Sequence, residues 1–147
     1  MKNIKSAAED MEDFFRVLKS TLPSKDLIES WFTHYSDANY PKHTHQGGKW
    51  LIYASKQNVD NIWNVIKDAQ DEGRLGDFSK VATAKSYSKW QHHVICIYTY
   101  DSTDTKDILR VRESLRDIGF KSPLHYKRDI ETQRNIYGTS DEFFMTV

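Results

Sequence analysis

The stretch Gly47-Gly48-Lys49-Trp50-Leu51-Ile52-Tyr53-Ala54-Ser55, followed by Asn58-Val59-Asp60-Asn61-Ile62-Trp63, constrains the fold more than any other part of the chain. A glycine pair marks a turn, and the alternation after it predicts a strand over Lys49 to Ser55. Trp50, Ile52 and Ala54 share one face of that strand, and Lys49, Leu51 and Tyr53 share the other. Asn58 stands where a helix N-cap belongs, Val59, Ile62, Trp63, Ile66 and Ala69 fall at helical spacing, and Gly73 supplies a stop. A strand with one apolar face, leading into an amphipathic helix, calls for a sheet covered by helices on one side.

The rest of the chain extends this unit. Ser6 with Glu9 forms a capping box ahead of Met11, Phe14, Phe15 and Leu18, which predicts a first helix. Leu27, Ile28, Trp31, Phe32 and Tyr35 are spaced by three and four, which predicts a second helix from near Ser24. Residues 36–48 read as a long loop, a place where compact domains often keep function. Strands are expected over Ser79 to Tyr87 and His92 to Tyr100, with a helix capped by Asp104 and ended by Gly119 between the latter strand and two short ones, Pro123 to Lys127 and Arg134 to Gly138. The tail after Asp141 is read as a last strand or a frayed end. At 147 residues, the chain is expected to form a single domain, 1–147, with N-terminal helices over 6–35. The predicted class is α+β, a sheet with helices on one face.

Charge and cysteine content narrow the functions. Lysine plus arginine and aspartate plus glutamate both number 21, so the formal net charge is zero. General nucleic-acid binding is therefore not expected, and any anion site must be local. No apolar run approaches the ~20 residues of a membrane span, so no membrane association is expected. Cys96 has no internal disulfide partner, which suits a cytoplasmic setting.

Candidate chemistry follows from residue types. A nucleotide or other phosphorylated small ligand needs an aromatic platform and cations. Trp50, Trp90 and Tyr126 are candidate platforms, and Lys49, Lys80, Arg110 and Lys127 are candidate phosphate contacts. Core packing is the competing reading for Trp50 and Trp63, and edge-strand protection for Lys49 and Lys80. In an enzymatic alternative, a phosphate-eliminating lyase or a phosphodiesterase acting on a nucleotide, Lys80 is the base, its ammonium pKa lowered by burial and by Lys85 or Arg74, and His93 of the His92-His93 pair is the acid. His43 and His45 lack a third ligand at a characteristic spacing, so neither a metal nor a cofactor is expected. A third alternative is a protein partner docked on the N-terminal aromatic helices or on a sheet edge.

Several segments together resemble a known family. They are the run Gly47 to Tyr53, Val59 to Trp63, Gly73-Arg74-Leu75-Gly76 with Lys80-Val81, Val94 to Tyr100, and Leu124 to Asp129 with Thr132 and Tyr137. Over about residues 47–138 they are similar to the basophilic-leukaemia-expressed protein family. That resemblance implies a fold like the messenger-RNA cap-binding translation initiation factor, a curved, mainly antiparallel sheet backed by helices. A further likeness, to phosphothreonine lyases, implies elimination with a lysine base and a histidine acid. The lyase lysine-x-histidine pattern is replaced here by Lys49-Trp50-Leu51.

Overall fold

A computed structural model describes residues 6–133 and 144–147. In chain order the elements are α1 (Ala7–Leu18), β1 (Trp31–Tyr35), β2 (Gly48–Ala54), α2 (Val59–Asp71), β3 (Phe78–Ala82), α3 (Ala84–Trp90), β4 (His93–Thr99), α4 (Thr105–Asp117), β5 (His125–Arg128), α5 (Asp129–Gln133) and β6 (Met145–Thr146). Among the described residues the strands form one six-stranded sheet in the order β1-β3-β4-β2-β5-β6. All its pairings are antiparallel.

The alternation in β2 sets the two faces. Trp50, Ile52 and Ala54 pack with Ile95 and Ile97 of β4, Val81 of β3 and Tyr126 of β5 against α2 and α4, which contribute Val59, Trp63, Ile66 and Ala69, and Ile108, Val111 and Leu115. Each of the larger aliphatic side chains among them contributes about 1.5–3 kcal/mol by leaving water. The opposite, open face carries a smaller cluster of Leu51, Cys96 and Tyr98 with Trp31, Phe78 and Val94 beside it. Gly76 lies so close to the sheet that a Cβ there would stand 1.9 Å from the Tyr98 carbonyl oxygen.

Three local expectations are corrected. The helix expected from Ser24 to Tyr35 is a turn followed by β1. Asp26, fully buried, accepts the backbone N–H of Ser20 and of Glu29, both at 2.9 Å, and so fixes the turn. Trp31 to Tyr35 then pairs with Ala82 to Phe78. Aromatic and β-branched residues favour that edge-strand geometry, and it outweighs the helical spacing. The strand expected over Ser79 to Tyr87 stops at Ala82, and α3 begins at Ala84. Its first N–H groups bond outward, Ala84 to the Pro23 carbonyl at 2.8 Å and Lys85 to the Asp26 carbonyl at 3.0 Å. Asn58 does occupy the N-cap of α2, but its side chain makes no capping bond.

The capping box, the Asp104 cap and the glycine stops hold. Ser6 and Glu9 exchange their bonds, the Asp104 side chain accepts the Asp107 N–H, and Gly73 and Gly119 take positive φ. The C-terminal tail pairs as β6 with β5. The strand expected near residues 134–138 lies outside the described residues.

Candidate functional site

Register places the chemistry on the open face. Lys49 stands opposite Tyr98 on one side and Lys127 on the other, while Leu51 faces Cys96 and Tyr53 faces Val94. On β3, Lys80 is opposite Cys96, and on β1, Trp31 is opposite Ala82. These side chains line a pocket of about 510 Å³ with two unlike ends. Lys49, Lys127 and Thr132 form a polar end, Trp31, Tyr53, Val94 and His92 form an aromatic end, and Lys80 lies between them. Along β2, Lys49 and Tyr53 stand four positions apart, about 13 Å, and Trp31 lies three strands across the sheet from β2.

The polar end is held by a chain of bonds. Lys49 Nζ donates to Thr132 Oγ1 at 2.9 Å and to Asp129 Oδ1 at 3.2 Å. Asp129 Oδ2 is 2.8 Å from His43 Nε2, and His43 Nδ1 is 3.0 Å from Asp77 Oδ2. Both bonds to His43 form when the ring carries two protons, or when one carboxyl keeps its own. Burial pushes the Asp77 carboxyl above the usual carboxylate range, with the opposing pull of His43 second. The long loop is thereby tied to the start of β3 and to α5. Tyr98 lies on Phe78, ring centroids 4.2 Å apart and planes at 16°, which supplies a flat apolar floor.

Lys80 differs from Lys49. Its Nζ lies 4.0 Å from the Trp31 ring centroid and 5.9 Å from that of Tyr98, and no ion pair joins it to an acid among the described residues. Burial lowers its pKa first. The Lys49 charge adds to that effect, against an opposing pull from Cys96 and Asp129. The neighbour responsible is therefore Lys49 rather than Lys85, which donates to the Ile28 carbonyl, or Arg74, which pairs with Glu72 and Asp117. Burial pushes the Cys96 thiol up, so it is a poor nucleophile.

The structure brings together Lys49, Lys80 and Lys127 and separates the other candidates. Trp50 is fully buried on the helix side, donates from Nε1 to the Ile108 carbonyl at 3.0 Å, and meets Tyr126 edge to face. Tyr126 is equally buried, its hydroxyl 2.6 Å from Thr99 Oγ1. Neither ring is a ligand platform, because strand alternation turns both away from their lysine neighbours. Arg110, on α4, binds Asp107 at 3.0 Å and the carbonyls of Arg74 and Leu75, so it latches the turn before β3 instead of the pocket. His93 is buried on the helix side with Nδ1 2.6 Å from the Ala82 carbonyl, so it cannot serve as the acid partner of Lys80. His92 is the one of the pair that reaches the pocket, edge to face with Tyr53 at 4.9 Å. The Trp90 side chain lies outside the described residues. Trp31 is the pocket ring that the helical reading of residues 24–35 concealed, while the β-forming run Trp31-Phe32-Thr33-His34-Tyr35 carried the signal; Tyr98, on β4, is a second pocket ring that nothing in its apolar strand sets apart.

Comparison with known proteins fits this geometry to a class. The solved schistosome eIF4E complexed with m7GpppA and 4E-BP is 16% identical, covers 93% of this chain and 81% of its own, and superposes with a TM-score of 0.63. C. elegans eIF4E-3, with the 4E-binding protein Mextli and a cap analog, is 14% identical, with 95% and 80% covered and a TM-score of 0.61. Ascaris suum eIF4E-3 with an m2,2,7G cap is 16% identical, with 95% and 79% covered and a TM-score of 0.59. The chain has an eIF4E-like α+β fold, a curved antiparallel sheet with helices. Residues 41–135 match the family described as basophilic leukemia-expressed protein Bles03, and the chain belongs to that family.

Proposed function

We propose that the open-face pocket binds a nucleotide or a closely similar phosphorylated small ligand. The ring lies at the Trp31 and Tyr53 end, and the phosphate is held at the Lys49 and Lys127 end with Lys80 between. One observation carries this reading: three lysines from three adjacent or near-adjacent strands meet beside an aromatic end in one pocket. Ammonium groups and hydroxyls such as Thr132 are phosphate donors, and a base stacked on an aromatic ring gains ~1–3 kcal/mol. The fold is shared with proteins solved with cap nucleotides, which supports the same ligand class here. The setting proposed is the reducing cytoplasm, where buried Cys96 stays a thiol.

A thermal-shift panel of mono-, di- and cyclic nucleotides tests the reading. A ligand at a hundred times its dissociation constant stabilises the fold by about 2.7 kcal/mol. The expected result is a saturable rise in melting temperature with at least one nucleotide, reduced in Lys80→Met and in Trp31→Ala. No shift with any nucleotide at millimolar concentration overturns it.

Protein docking is a second reading, favoured by α1. Met11, Phe14, Phe15 and Val17 of this helix are all more than half exposed. Its test is a pull-down with wild type and Phe14→Ser. A partner retained equally by both chains removes α1 from the account.

A further inference from the structure

We propose that the pocket selects a purine nucleotide with a free, unmethylated N7 and turns away the positively charged 7-methylated base. This rests on the nucleotide reading above and names the ligand class for that same site. The charge lining the pocket carries the argument. None of the described residues that line it is an acid, and three are lysines. Asp129, just outside, already serves both Lys49 and His43. Among the described residues, then, the ring end presents no negative group to a cationic base.

Lys80 sharpens the discrimination. Its ammonium stands 4.0 Å from the Trp31 ring centroid, on the surface a base would use for stacking. An unmethylated guanine presents O6 and N7 as acceptors, and lysine is a natural donor to both. Methylation at N7 removes one acceptor and leaves a delocalised positive charge on the ring. The same lysine that would bond the free base then repels the methylated one, and both cations compete for the face of Trp31. The phosphate does not offset this, because the free and the methylated nucleotide present the same phosphate to the Lys49 and Lys127 end.

Isothermal titration with GMP, 7-methyl-GMP and the uncharged analogue 7-methyl-7-deaza-GMP tests the inference on wild type, Lys80→Met and Lys80→Gln. Wild type is expected to prefer GMP over 7-methyl-GMP by about tenfold or more, since like-charge juxtaposition carries a large penalty. The uncharged methylated analogue, which loses the acceptor without gaining the charge, is expected between the two. Both Lys80 variants are expected to bring GMP and 7-methyl-GMP to within about twofold, as removal of the repelling charge requires. Equal or tighter binding of 7-methyl-GMP by wild type, with GMP also bound, overturns this inference alone. A preference that survives in both variants does the same. If neither nucleotide binds wild type, the nucleotide reading of the pocket falls, and this inference falls with it.

Discussion

Lys80 Nζ lies 4.0 Å from the centroid of the Trp31 ring, an ammonium on an aromatic face with no ion pair to an acid among the described residues. The two residues come from paired strands and meet on the open side of the sheet, away from the helical core. A cation kept over a ring, beside a second lysine that holds its own carboxylate, leaves positive charge available for a ligand.

Lys80→Met should stabilise the free protein while weakening its hold on anions. Burial lowers the folded ammonium pKa below its ordinary 10.5, so the folded state sheds this proton before the unfolded chain does. By linkage, the contribution of Lys80 to stability climbs as pH rises between the folded and unfolded values, and is least below that window. The urea midpoint of Lys80→Met should exceed that of wild type near neutrality, with the gap closing as pH approaches 10.5. A gap that widens with pH would show the opposite sign.

Trp31 and Trp50 should separate binding from stability. Trp50→Ala removes a fully buried ring and its bond to the Ile108 carbonyl, at a cost of about 3–5 kcal/mol in chemical unfolding. Trp31→Ala should cost less in the same experiment, because the ring is only partly buried at the sheet edge. Its expected loss is in nucleotide affinity, by the ~1–3 kcal/mol of a stacked base. Equal stability losses in the two variants would contradict the assignment of faces.

This pair also shows what the sequence disclosed. Strand alternation after Gly48 placed Trp50 with Ile52 and Ala54 and set Lys49 on the opposite face, which the structure reproduces. Trp31 was harder, since Leu27, Ile28, Trp31, Phe32 and Tyr35 satisfy helical spacing while Trp31 to Tyr35 also satisfies a strand, and only pairing with β3 decides between them. His43 gave no local signal at all. Its carboxylate partners lie 34 and 86 residues away, so the bonds exist only once the sheet has formed.

His43→Ala should loosen the long loop and cost about 1–3 kcal/mol, because it leaves Asp77 and Asp129 facing a gap. The Asp77 carboxyl is raised by burial against the pull of His43, so losing the imidazole raises it further. A raised carboxyl contributes stability that is fully present below its unfolded value of 3.8 and is lost as pH rises through the folded one. The deficit of His43→Ala should therefore be smaller in acid than at neutral pH, measured by urea unfolding across that range.

Gly76→Ala should be among the most damaging single-methyl changes. The added Cβ would fall 1.9 Å from the Tyr98 carbonyl oxygen, a backbone atom in the central strand β4 that cannot swing aside. A cost at or above the ~1–3 kcal/mol typical of overpacking is expected in thermal unfolding. At Gly119, a Cβ meets nothing within 4 Å, so the cost of Gly119→Ala should come from its positive φ alone.

A crystal structure of the protein grown with GMP tests the central claim most directly. The account predicts the phosphate within hydrogen-bond distance of the Lys49 and Lys127 ammonium groups and the purine against Trp31, with Lys80 donating to its N7 edge. A nucleotide bound on the helix side, beside Arg110 or elsewhere off the open face, would contradict it.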